Sequence, residues 1–178
     1  MKPVEIKGVL DVEHQIRVER WKNGEKGVDL VAPFYTHLDK EGRPCGILVN
    51  RGWMPWDLRL LRHDRIVNMM KVSGVLYRGD AKTKYSKANV PLRNMYTSTY
   101  PEELALMTAM PNESEAGVFM LKAVDFDTEA PTALPDAESP KDLQTFAIAP
   151  ERHAAYASLW NYMTYLGVVA NTAVWLYL

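Results

Sequence analysis

A single cysteine, Cys45, stands among the 178 residues, which excludes an internal disulfide, a CxxC redox pair and a thiolate zinc site. Neither sign of charge dominates. With 21 Lys+Arg against 22 Asp+Glu, the net charge of −1 and pI near 6.4 argue against bulk nucleic-acid affinity. Catalytic signatures are missing as well: there is no GxGxxG, no P-loop, no HExxH and no GxSxG. The four histidines, at 14, 37, 63 and 153, are too scattered for a metal cluster. The sequence therefore offers no catalytic residue and no metal site, and the expectation is a protein that is not an enzyme. The Asn112-Glu113-Ser114 sequon is of a kind that chance supplies in a chain of this length.

The most informative absence lies at the C-terminal end. All 43 charged residues fall in 1–152, and the 25 residues from Ala154 to Leu178 hold no Asp, Glu, Lys or Arg and are apolar at nineteen positions. As a helix rising about 1.5 Å per residue, that run is about 37 Å long, enough for a bilayer core of about 30 Å. The expected organisation is a soluble domain, 1–150, followed by a transmembrane helix, 151–178.

This segment is patterned. His153, Ala157, Asn161, Thr164, Val168 and Asn171 recur at spacings of four, four, three, four and three, which makes one small and polar stripe on a helix. The opposite face carries Leu159, Tyr162, Leu166, Val169 and Leu176. Amides facing lipid are costly, so Asn161, Thr164 and Asn171 are expected to contact a partner helix. Tyr156 and Trp160 at one end, and Trp175 and Tyr177 at the other, suit interfacial belts. His153, beside Arg152, has two readings. It hydrogen-bonds at a helix end, or its neutral imidazole ligates a heme iron while Arg152 pairs with a propionate.

In the soluble part, residues 51–93 carry ten bases against three acids and 94–152 eleven acids against three bases. These segments either attract each other within one domain or present a basic face to anionic groups and an acidic face to a protein partner. Strand signals are short and numerous: alternation from Val4 to Val9, apolar runs at Val28–Phe34 and Gly46–Asn50, longer ones at Met69–Tyr77 and Val118–Phe126, and Thr145–Ile148. Pro101, followed by Glu102 and Glu103, opens the one clear helix of this part. Residues 127–144, with Pro131, Pro135 and Pro140, read as a surface loop. The fold class is α+β: a small, mostly antiparallel β-sheet or barrel with one or two short helices, plus the C-terminal transmembrane helix.

The run Ile47-Leu48-Val49-Asn50-Arg51-Gly52-Trp53-Met54-Pro55 reads as a buried strand leading into a sharp turn at Asn50 and Gly52, then a rigid corner of Trp53, Pro55 and Trp56. Arg51 there satisfies backbone carbonyls or binds an anion. The run resembles the signature of the surfeit locus protein 1 family of cytochrome c oxidase biogenesis proteins. Gly27–Phe34, Val72–Arg78, Asn89-Val90-Pro91, Asn94-Met95-Tyr96 and His153-x-x-Tyr156-x-x-x-Trp160 resemble further family elements in the family's order. The resemblance implies a domain on the intermembrane-space (or periplasmic) side of the inner membrane that assists heme a delivery to the oxidase. It associates His153 with heme and implies oxidase core subunits, other respiratory-chain subunits and membrane lipid as partners. The family's first transmembrane helix has no counterpart before Val4, so either this chain is incomplete or that helix is lost or encoded elsewhere. A second expectation is therefore a permanent accessory subunit of complex IV or of a respiratory supercomplex. A third is a soluble anion-binding module.

Overall fold

The structure, a computed structural model, describes residues 3–59, 69–84, 86–91, 96–124, 135–140 and 150–177, the side chains of 150–153 excepted. Two compact units divide the chain, Met1–Pro140 and Lys141–Leu178.

The first unit holds six strands: β1 Val4–Leu10, β2 Ile16–Lys22, β3 Glu25–Leu38, β4 Pro44–Pro55, β5 Met70–Tyr77 and β6 Met120–Ala123. A 3-10 turn, Trp56–Leu58, follows β4, and two helices, α1 Pro101–Met107 and α2 Glu113–Ala116, lie between β5 and β6. The strand order is β1-β5-β6-β4-β3-β2, and β1 also pairs with β3 through Val9↔Tyr35 and Leu10↔Phe34. That extra pairing closes β1, β5, β6, β4 and β3 into a ring, with β2 flanking β3, and so removes most of the exposed edge. All pairings are antiparallel except β4 with β6.

Alternation along the strands produces two packed faces. Leu10, Ala32, Phe34, Val49 and Leu121 form one core, joined by Ile6, Ile47 and Val72, so every strand of the ring contributes to it. Val18, Val31, Leu48 and Met120 face the other way, against Leu104 and Ala105 of α1 and Ala116 of α2. Leu48 and Val49 are adjacent and both fully buried, as a strand covered on two sides requires. Asn112 fastens the helical face, its Nδ2 donating to Gly46 O at 2.9 Å and its Oδ1 accepting from Gly46 N at 3.2 Å.

Strands β1, β3, β4, β5 and β6 and helix α1 fall where the sequence places them, although β3 and β4 run longer. Strand β2 and helix α2 were not foreseen. The Thr145–Ile148 strand lies outside the described residues. In the 127–144 segment, Asp136 pairs its backbone with Trp53 and Glu138 bridges to Val124, so the described part is a strap on the sheet rather than a free loop. Between the basic and acidic segments, Lys82–Glu103 at 3.0 Å is the ion pair among the described residues. Arg20–Asp80 and Lys22–Asp136 instead tie those segments to β2.

In the second unit, α3 spans Pro150–Tyr177, 28 residues and about 42 Å by helical rise. Every described side chain along it is exposed. Its length suits the expected span, yet no helix of the described residues is long and apolar enough to cross a membrane. Asn161, Asn171 and the aromatic residues dilute its apolar run.

Candidate functional site

The signature run does not turn. Asn50, Arg51 and Gly52 lie inside β4, which continues to Pro55. This corrects the sharp turn expected from Asn50 and Gly52. Across from β4, Val31 pairs with Asn50 and Asp29 with Trp53, so three steps along β4 match two along β3. One extra residue on β4 makes a β-bulge, a device that re-aims side chains without ending the strand. Gly52 sits at φ 126, and a Cβ there would lie 2.4 Å from the carbonyl oxygen of Asp136. Only glycine meets both conditions.

The bulge turns Asn50 inward. Its carboxamide, 2% exposed, accepts the Gly52 amide at 3.0 Å and donates through Nδ2 to Asp29 Oδ2 at 3.2 Å and to the Tyr77 hydroxyl at 3.5 Å. The network continues outward. Arg20 places Nε 3.5 Å from Asp29 Oδ2 and donates from Nη2 to Asp80 Oδ2 at 2.5 Å and to Thr99 Oγ1 at 3.1 Å. Asp80 also accepts the Thr99 amide at 2.7 Å and the Thr99 hydroxyl at 3.0 Å.

The electrostatics follow the burial. Desolvation raises the Asp29 carboxyl above its ordinary range even though Arg20 and Asn50 oppose the rise. Desolvation pushes Asp80 up too, but the Thr99 amide and Arg20 outweigh it and hold that carboxyl below its usual range. The Tyr77 hydroxyl is pushed up to about 12, chiefly by burial. These groups spend their polar atoms on one another, and the cluster fixes the seam between β2, β3, β4 and β5 in one register.

Trp53 completes the seam from outside the bulge. Its amide donates to Asp136 O at 3.0 Å, and the Asp136 amide donates back to Trp53 O at 2.7 Å. Its indole lies where a Cβ of Gly27 would stand 2.3 Å from the ring, so the missing side chain of Gly27 makes room for the aromatic. Lys22–Asp136 at 2.6 Å and Lys122–Glu138 at 2.5 Å pin the strap at both ends. Among the described residues, Arg51 Nη1 donates to Gln15 Oε1 at 2.8 Å rather than to a backbone carbonyl. Pro55 closes β4 and leads into the 3-10 turn, as a corner residue should.

The structure thus brings Asn50, Gly52 and Trp53 together with Arg20, Asp29, Tyr77, Asp80 and Thr99, none of which the sequence singled out as site residues. The side chains of His153 and Arg152, expected to hold heme, lie outside the described residues. Asn161, Thr164 and Asn171 are exposed on α3. Thr164 donates its hydroxyl to the Trp160 carbonyl at 2.9 Å, as Ser158 does to Ala154 at 3.0 Å and Thr172 to Val168 at 2.8 Å.

A small closed barrel sealed by a bulged signature strand, with a long C-terminal helix as a separate unit, defines the class. The model of the SURF1 family matches residues 1–165, and the chain belongs to that family. No curated protein matched the chain in the comparison. Membership is consistent with a part in cytochrome oxidase assembly.

Proposed function

We propose that this chain is a non-enzymatic assembly factor of cytochrome c oxidase that assists delivery of heme a, its cargo, to the oxidase core. In this reading α3 anchors the chain in the mitochondrial inner membrane (or the bacterial plasma membrane), with the barrel on the intermembrane-space or periplasmic side. The observation that carries the reading is the family match, which spans the barrel and more than half of α3. Two features of α3 support an apolar setting for it. Its described side chains are all exposed, and its Ser158, Thr164 and Thr172 hydroxyls each donate to a carbonyl four residues back, as hydroxyls do where water is scarce.

His153, in the first turn of α3, is the group assigned to the cargo, with Arg152 beside it for a propionate. The test is heme a retention by the detergent-purified chain and its His153→Ala variant. Loss of pigment with an unchanged barrel melting transition supports the reading. Equal pigment in both proteins, or none in the parent, overturns it.

The polar stripe on α3 favours a second reading, a permanent accessory subunit of the oxidase or of a supercomplex. Asn161 and Asn171 would then be covered by a helix of another subunit.

A further inference from the structure

Two arginines of the barrel, Arg17 and Arg59, line one cleft, and neither has a carboxylate within ion-pair distance among the described residues. The cleft, about 450 Å³, lies between β2 and the 3-10 turn and has Arg17, Arg59, Gln15, Trp56 and Tyr96 in its wall. That volume is in the range of small-molecule sites.

Each guanidinium is fixed by a neutral acceptor. Arg17 donates Nε to the Arg59 carbonyl at 2.6 Å, which among the described residues leaves its two terminal nitrogens as a fork. Arg59 donates Nη1 to the Trp56 carbonyl at 2.6 Å and stacks 4.1 Å from the centre of the Trp56 ring. Arg51, outside the lining, donates to Gln15 Oε1 at 2.8 Å, and burial lowers its pKa. Glu19, the acid of the lining among the described residues, faces Lys26 at 3.4 Å. Lys26 also sits 3.8 Å from the Trp56 ring centre.

A guanidinium held in a cleft wall without a paired carboxylate leaves positive charge that an anion can offset. Guanidinium groups already positioned by backbone carbonyls lose little freedom on binding a tetrahedral oxyanion through charge-assisted hydrogen bonds. We propose that this cleft binds a phosphate-bearing ligand through the Arg17 and Arg59 guanidinium groups, with Arg51 holding Gln15 in the wall. A lipid headgroup and a soluble phosphate ester share that chemistry. The assignment rests on the barrel alone and stands apart from the oxidase reading.

The test uses the full chain in detergent micelles, with inorganic phosphate, glycerol 3-phosphate and short-chain phosphatidylglycerol as probes. Arginine side-chain resonances are followed by NMR. The proposal predicts saturable shifts at Arg17 and Arg59 with at least one probe. Arg17→Gln and Arg59→Gln should each weaken binding by about tenfold or more, given the strength of charge-assisted hydrogen bonds. Arg43→Gln should leave it unchanged, since Arg43 pairs with Asp39 and Glu41 outside the cleft. Saturation with phosphatidylglycerol alone assigns a lipid headgroup; saturation with the soluble probes assigns a free ester. If a glutamine variant fails to fold, the parent's Arg17 and Arg59 resonances decide. Absence of saturable shifts there with all three probes, or equal affinity in well-folded variants, overturns the proposal.

Discussion

Asn50 and Asp29 meet across the β3–β4 seam, Nδ2 to Oδ2 at 3.2 Å, while the same carboxamide accepts the Gly52 amide at 3.0 Å. One side chain therefore closes the bulge and hydrogen-bonds a buried acid. Asn50→Ala should leave the Gly52 amide without its acceptor and Asp29 with one donor fewer. The expected loss is about 2–3 kcal/mol, measured by urea unfolding at neutral pH.

Gly52 tests the bulge itself. Gly52→Ala adds a Cβ 2.4 Å from Asp136 O at a φ of 126. The β4–strap contact must open, at a cost of about 2–4 kcal/mol. Hydrogen exchange should show the Trp53 and Asp136 amides losing protection together, since each donates to the other residue's carbonyl.

The two acids around Arg20 carry opposite pH signs. Asp80 is held below its usual range, so the stability it contributes is present above its unfolded pKa of about 4 and is lost as pH falls through the lower folded value. Asp29 is raised, so its ionisation opposes folding, and falling pH relieves that penalty as the native state takes up the proton first. At neutral pH, Asp80→Asn should cost about 1–2 kcal/mol, the modest figure reflecting partial solvent screening. Asp29→Asn should cost less, because an asparagine there still accepts from Asn50. The gap between Asp80→Asn and the parent should narrow in acid, read from urea midpoints across pH.

Tyr77 governs the alkaline side. Its folded pKa of about 12 lies above the ordinary 10, so the folded state holds the phenolic proton longer than the unfolded chain. The stability this gives is fully present below pH 10 and declines as pH rises toward 12, by roughly 2–3 kcal/mol in all. Tyr77→Phe should flatten that decline. Unfolding midpoints between pH 9 and 11.5 decide it, and parallel slopes for the two proteins would contradict the assignment.

The stripe on α3 makes a prediction about partners. Asn161→Leu and Asn171→Leu should reduce co-purification with oxidase components if a neighbouring helix covers those amides. Normal co-purification of both variants would sink the interhelical contact.

Much of the barrel was legible because its strands announce themselves locally. Val4 to Val9 alternate, Val28–Phe34 is an apolar run, and Pro101 with two acids marks a helix start that the structure keeps at Pro101. Strand β2 escaped because Arg17, Glu19, Arg20 and Lys22 make it read as polar, although Ile16 and Val18 carry the buried alternation. Helix α2 is only four residues long, too short for a periodic signal. Asn50-Arg51-Gly52 has turn chemistry, yet a bulge is defined by the partner strand, here β3, some twenty residues earlier in the chain. The polar network was invisible for the same reason. Arg20 and Thr99 are 79 residues apart, and no local spacing joins them.

The most direct measurement is the molar ratio of this chain to an oxidase core subunit, in the mature complex and in isolated assembly intermediates. An assembly factor should be far below one per core subunit in the mature complex and enriched in the intermediates. A ratio near one in the mature complex would contradict that account and make the chain a resident subunit.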